Sequence, residues 1–319
     1  MVIPPVYLPI VAEKTQNNKP LIKPKSNYYN LITLAKRLGL PANGNKIHGQ
    51  PFLRVFRNII NRSSFLKHSK LIKTLKKYIR GHVFKQTIRE LEAVKAYDLW
   101  SKNYDAQPGN LMLDLDELLF TKLLAGTDLY NKQIADIGCG TGRHWAKILA
   151  YKPAGLTGFD VSPGMLKKLT SKFPSAKTSL ITDQRFATTA DGSFDVLVST
   201  LTVAHIKDIE EALTTWSRLA KDNAELIITD FHPDALAFGG KRTFNYQNKQ
   251  IAVRNFVHSL NTIKNILLRY GFQVVCEDKI KIDESVKQYY TDQNAVHVYE
   301  KFKGFPIIYG IHFRRVARV

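Results

Sequence analysis

The chain has 319 residues, 44% of them hydrophobic and 23% charged, which excludes a fibrous or wholly disordered protein and leaves room for a main domain with an appendage. Its formal charge of +20 is uneven: residues 1–95 carry 19 Lys and Arg against three acids, Glu13, Glu90 and Glu92, a net of +16, while the other 224 residues carry 28 against 24, a net of +4. Two cysteines, Cys139 and Cys276, exclude a disulfide framework and lack metal-ligand spacing, so no metal and a reducing, cytoplasmic location are expected.

In chain order, the opening MVIPPVYLPIV is too short and proline-rich for a signal peptide and lacks a basic flank. No apolar run reaches the roughly 18 residues of a membrane span. Residues 1–50, rich in Lys, Asn and Pro, suggest one short helix at 30–38. Further on, Leu71, Ile72, Leu75, Tyr78 and Ile79 recur at helical spacing among Lys70, Lys73, Lys76, Lys77 and Arg80, the pattern of a basic amphipathic helix. A second helix is expected over 84–99. Residues 1–95 therefore read as a basic, mainly helical appendage that attracts an anionic partner, whether nucleic acid, a membrane surface or an acidic small molecule.

From residue 96 to the end, a second domain is expected. After a helix at 111–124, strands are expected at 133–137, 155–159, 178–182, 194–199, 225–230, 273–282 and 307–315, and helices at 143–150, 163–171, 209–221 and 260–270. This alternation predicts an α/β fold: a Rossmann-like, doubly wound, seven-stranded and mostly parallel sheet with helices on both faces. The last two strands, joined by a short irregular stretch, suit an antiparallel pair at one edge. Residues 235–257 form an insertion in which 243–246 and 250–253 pair as a hairpin, with Phe244, Tyr246 and Phe256 available to cover a substrate.

The chemistry is concentrated after the first of these strands. Asp136-Ile137-Gly138-Cys139-Gly140-Thr141-Gly142 ends a strand, makes a glycine turn and opens a helix. Glycines there permit positive φ and let a ligand lie against the backbone at a strand's carboxyl end. A dinucleotide fingerprint would need its third glycine where Arg143 or Trp145 stands. The Asp-x-Gly-x-Gly-x-Gly pattern instead resembles motif I of class I S-adenosylmethionine-dependent methyltransferases. Asp160, 18 residues after Gly142 at the end of the next strand, is a carboxylate able to accept both protons of a ribose diol.

The resemblance covers roughly residues 96–231 and implies S-adenosyl-L-methionine as cofactor. It implies that Asp136, Gly138, Cys139, Gly140 and Gly142 hold the amino-acid end, and that Asp160, with Val161 and Met165 after it, lies along the ribose. Asp183 and Gln184 would face adenine, although the family's usual proline beyond them is missing. Thr200 would lie beneath the methyl donor. Tyr97 and Tyr104, seven residues apart, would close over the cofactor from an aromatic helix. The nearest branch in character is the small-molecule, ubiquinone/menaquinone-methyltransferase-like one.

Methyl transfer needs an aligned nucleophile and, for some acceptors, a base. His205, His232 and His258 each follow an expected strand or start a helix at the catalytic edge, and neutral imidazole takes a hydroxyl proton near physiological pH. The three favour an oxygen acceptor on a small molecule, anionic or lipid-like. Methylation of RNA or another polyanion through the basic region is the alternative, though no RNA-binding signature accompanies it. A non-catalytic cofactor-binding scaffold is a third.

Overall fold

Apolar segments bounded by glycine or polar turns become the strands of two sheets. The computed structural model describes residues 88–107, 109–182, 186–247 and 249–316. The helices expected at 30–38 and around 71–80 lie outside the described residues, as do Asp183 and Gln184. In chain order the elements are β1 (Arg89–Leu91), α1 (Ala93–Trp100), α2 (Leu111–Leu124), β2 (Gln133–Ile137), α3 (Trp145–Ala150), β3 (Gly155–Asp160), α4 (Pro163–Lys172), β4 (Lys177–Leu180) and β5 (Phe194–Thr200). There follow α5 (Ile209–Leu219), β6 (Ala220–Phe231), α6 (Pro233–Ala237), β7 (Thr243–Tyr246), β8 (Lys249–Val253), α7 (Leu260–Arg269), β9 (Phe272–Lys281), α8 (Lys287–Thr291), α9 (Val296–Phe302) and β10 (Pro306–Arg315).

The large sheet has the order β4-β3-β2-β5-β6-β10-β9. All pairs from β4 to β6 are parallel, and β10 runs antiparallel to both neighbours. Ile134 to Ile137 are all buried, the continuous burial of a parallel strand covered on both faces. One face packs Leu115, Leu119 and Phe120 of α2 with Trp145 and Ile148 of α3. The other packs Leu213 and Trp216 of α5 with Ile263 and Leu267 of α7. Helix starts follow capping chemistry: Ser162, Asp208 and Ser259 side chains accept the amides of Met165, Glu211 and Thr262 at 3.1, 3.0 and 3.0 Å. The predicted seven-stranded, mostly parallel architecture is present, with β9 antiparallel to its neighbour at one edge.

A second, three-stranded sheet, β1-β8-β7, contains the expected hairpin, with Tyr246 opposite Lys249. β8 therefore begins one residue earlier than expected, at Lys249. Its third strand corrects the sequence reading. Residues 84–99 do not form one helix: Arg89–Leu91 is a strand parallel to β8, and the helix begins at Ala93. The pairing wins because Leu91 gains apolar neighbours and Glu90 gains Lys241 and Arg254, at 3.0 and 3.2 Å. Trp100 of α1 then stacks on Phe244 of β7, centroids 4.7 Å apart and planes 8° apart.

A second correction concerns the link between β9 and β10, which carries α8 and α9 instead of an irregular stretch. Val286, Tyr290, Val298, Tyr299 and Phe302 point into the core from it.

Candidate active site

The carboxyl ends of β2, β3 and β5 meet the small sheet's helix α1 around a cleft that opens to solvent. At its base, β2 delivers Asp136, buried and accepting the Trp145 indole N–H at 2.8 Å. The chain then turns sharply. Gly138 has φ +76° and Gly140 φ +53°, backbone that favours glycine. A Cβ at Gly138 would collide with the Thr202 side chain, while one at Gly140 would stand alone in open space, so at Gly140 the backbone is bared to whatever enters.

β3 ends in Asp160, whose Oδ2 accepts the Gly140 amide and Oδ1 the Ser162 amide, both at 2.8 Å. A carboxylate has about four acceptor positions, so each oxygen keeps capacity for a hydroxyl donor. Burial pushes both Asp136 and Asp160 up to about 6, against partial relief from the Trp145 indole for the first and from the Ser162 and Gly140 amides for the second. Such groups gain most from a cationic or multiply donating ligand.

The roof comes from α1 and the turn after it. Tyr97 and Tyr104 line the cleft, with ring centroids 6.4 Å apart. Asp98 pins α1 to the start of α4 by accepting the Gly164 amide at 2.8 Å and the Ser162 hydroxyl at 3.2 Å. Cys139, Val161, Met165 and Thr200 line the same cleft. Gly142 sits just outside, where a Cβ would press on Leu169 and Trp145; its place is in helix–strand packing.

Of the three candidate histidines, the structure brings one to the cleft. His205 is bonded at both nitrogens: the Tyr97 hydroxyl donates to Nε2 at 2.8 Å, and Nδ1–H donates to the Arg254 carbonyl at 2.9 Å. Burial, helped by the Arg242 charge, pushes it down to about 3, so it is neutral. His232 instead caps α6, its Nδ1 accepting the Asp234 amide at 3.2 Å, and burial lowers its pKa. His258 bonds the Ile206 carbonyl through Nε2 at 2.7 Å. Neither of these two lines the cleft.

Several groups escaped the sequence reading. Arg143 and His144, directly after the glycine turn, line the cleft and are anchored by Asp116, a fully buried acid on α2. Asp116 accepts Arg143 and the Thr229 hydroxyl, and His144 Nε2 lies 2.9 Å away. Burial opposes its ionisation, but Arg143 and His144 hold it well below the usual carboxylate range. An acid among the apolar residues of 111–124 was the available signal. Arg242, in the insertion, is buried behind the roof with its guanidinium 5.6 Å from the Tyr97 ring centroid and 5.3 Å from that of Trp100; nothing local in the sequence marks it.

Among the described residues no group of three His, Cys, Asp or Glu side chains is arranged to hold a metal. A bared glycine backbone between two strand-end carboxylates suits a ligand that joins a cationic amino acid to a nucleoside. In a sheet of this order that combination belongs to the class I S-adenosylmethionine-dependent methyltransferases, and S-adenosyl-L-methionine is the cofactor. Residues 113–277, just over half of the sequence, match the methyltransferase domain family, and the chain belongs to it. It is similar to an uncharacterized methyltransferase of Emericella nidulans, with 24% identity over 59% of this chain and 78% of the relative. A malonyl-[acyl-carrier protein] O-methyltransferase of Methylovorus sp. is 26% identical over 56% of this chain, and the alignment spans 62% of that relative's length. Among solved structures, the [4+2]-cyclase SpnF superposes with a TM-score of 0.53 at 15% identity, covering 72% of this chain and 98% of its own. That likeness establishes the fold alone.

Proposed function

We propose that this protein transfers the methyl group of S-adenosyl-L-methionine to an oxygen of a small-molecule acceptor. The observation that carries the reading is the pair Asp136 and Asp160 beside the open Gly140 backbone. When bound, the cofactor supplies an electrophilic methyl carbon on a positively charged sulfur. The chain's own residues do the rest. Asp136 holds the cofactor's ammonium, Asp160 takes the ribose hydroxyls, and the glycine turn lets the amino-acid end lie against the backbone. Tyr97 and Tyr104 roof the site and keep water from it, which strengthens every electrostatic contact inside. Asp183 and Gln184 are proposed at the adenine end. The similarity to the Methylovorus O-methyltransferase supports an oxygen acceptor. Residues 1–95 are proposed as a basic appendage that raises the local concentration of an anionic or lipid-like acceptor. No described helix is long and apolar enough to cross a membrane.

Calorimetry with S-adenosyl-L-methionine and S-adenosylhomocysteine tests the reading. Micromolar binding of both is expected, with at least about tenfold loss in Asp160→Ala, the scale of a lost charge-assisted hydrogen bond. Absence of binding by the intact chain would refute it.

A further inference from the structure

The site also bears on the ionisation state of the acceptor, an inference that rests on the methyltransferase reading above. An alcohol, phenol or ammonium acceptor must lose a proton, and a base with an available lone pair must be near it. Among the described residues, the imidazoles lining the cleft are His144 and His205. His144 Nε2 lies 2.9 Å from Asp116 Oδ2, and its Nδ1, 3.2 Å from Glu117 Oε2 but with no hydrogen bond to it, is fully buried and out of an acceptor's reach. His205 spends Nδ1–H on the Arg254 carbonyl and its Nε2 lone pair on the Tyr97 hydroxyl. Asp136 and Asp160 line the cleft at the glycine turn, accept the Trp145, Gly140 and Ser162 N–H groups, and give their remaining acceptor capacity to the cofactor in the reading above.

The roof supplies a positive charge instead. Arg242 is buried; its Nη2 donates to Tyr104 Oη at 3.0 Å and its Nη1 to the Leu201 carbonyl at 3.4 Å. Tyr104, Leu201 and Tyr97, whose ring the guanidinium covers, all line the cleft. The nearby buried Asp230 gives Oδ2 to the Ala204 amide at 2.7 Å and Oδ1 to the Phe231 amide at 2.6 Å. Because Tyr104 Oη accepts from a cation, its own proton is the group left to donate, and the cation makes it a stronger donor.

We propose that the acceptor is a carboxylate, taken up with the Tyr104 hydroxyl donating to one of its oxygens in the field of Arg242, and that the product is a methyl ester. The carboxylate arrives ionised, so no base is needed. A lone pair of its free oxygen forms the new C–O bond, the methyl–sulfur bond breaks, and that electron pair stays on sulfur. The negative charge of the acceptor and the positive charge of the sulfonium disappear together, and no proton moves. Arg242 is a positioning residue acting through Tyr104. Since the carboxylate charge fades in the transition state, Arg242 stabilises bound acceptor more than transition state, and its loss raises KM without lowering kcat.

The test uses the full chain and matched probes: octanoate against octanol and octylamine, and benzoate against phenol. Calorimetry first establishes S-adenosylhomocysteine binding; failure there removes the methyltransferase reading itself. With that complex formed, millimolar binding of octanoate or benzoate and none of octanol, octylamine or phenol is expected. In turnover with labelled donor, the label should be released as methanol by mild alkali, and the rate should be flat between pH 7 and 9. Arg242→Gln should raise the acid's KM about tenfold or more without lowering kcat, with rescue by Arg242→Lys; Tyr104→Phe should raise KM while S-adenosylhomocysteine affinity holds. Alkali-stable product from phenol, alcohol or amine, a rate that climbs with pH, or no acid binding to a competent cofactor complex overturns the proposal. A fall in S-adenosylhomocysteine affinity in Tyr104→Phe with KM unmoved would assign Tyr104 to the cofactor and overturn it equally.

Discussion

Lowering the pH should loosen the cofactor well before the fold suffers. Asp136 and Asp160 sit at about 6 in the free protein because burial disfavours their charge. A ligand that brings an ammonium to one and hydroxyl donors to the other favours the ionised forms, so in the complex both pKa values fall. Binding is therefore strongest above pH 7, where the carboxylates are already charged, and weakens as pH falls through 6, where binding must expel protons. At pH 7 a group with pKa about 6 is roughly 90% ionised, and at pH 5 roughly 10%, so each carboxylate costs about tenfold in affinity at the lower pH, and the two together about a hundredfold, or ~2.7 kcal/mol. Calorimetry of S-adenosylhomocysteine at pH 7, 6 and 5, repeated in buffers of different ionisation heat, measures both affinity and proton release. Asp160→Asn should remove about half of the logarithmic pH dependence. An affinity that stays within about threefold from pH 7 to pH 5 would refute the assignment of these carboxylates to the ligand, because two ionisations at about 6 cannot be silent in a site built on them.

Three further outcomes follow from the packing. Gly138→Ala places a methyl group against Thr202 at φ +76°, and should cost at least about 2 kcal/mol in urea unfolding as well as abolishing cofactor binding. Asp116→Asn leaves Arg143 and His144 without their buried anion, and should cost about 3 kcal/mol, the lower end for a broken buried pair since the Arg143 side chain is 21% exposed; a denaturation midpoint within error of the parent would argue against the network. Trp100→Ala removes the ring that stacks on Phe244, with an expected loss of about 3–5 kcal/mol in local or global stability, read as faster amide exchange in β7 and β8 and weaker cofactor binding.

The large sheet was legible because its strands carry their own boundaries: the apolar run 134–137 stops at a glycine, and Ser162-Pro163 announces a helix start on sight. The glycine turn was legible for the same reason, since positive φ leaves few residue choices. What the sequence reading missed depended on distant partners. Residues 89–91 look helical by their neighbours, and only β8, some 160 residues on, makes them a strand. Val286 and Tyr290, like Val298 and Phe302, stand at helical spacing, but each run is too short to outweigh its polar neighbours. His232 and His258 hold the expected chain positions, yet hydrogen bonding turns one toward the α6 amides and the other toward the Ile206 carbonyl. Arg242 acquires meaning only when the insertion folds its guanidinium against Tyr97, Trp100 and Tyr104, residues from the opposite end of the domain.

That distant pairing sets the order in which the protein can become competent. Arg89–Leu91 leaves the ribosome long before Ile251–Val253, its parallel partner. At roughly 5–20 residues per second, the wait is on the order of ten seconds. Until then Tyr97 and Trp100 have no β8 and no Phe244 to close against, and a nascent chain with a finished glycine turn still lacks a ceiling. Pairing across so long a loop is intrinsically slow, so capture of the methyl donor waits on the meeting of β1 and β8.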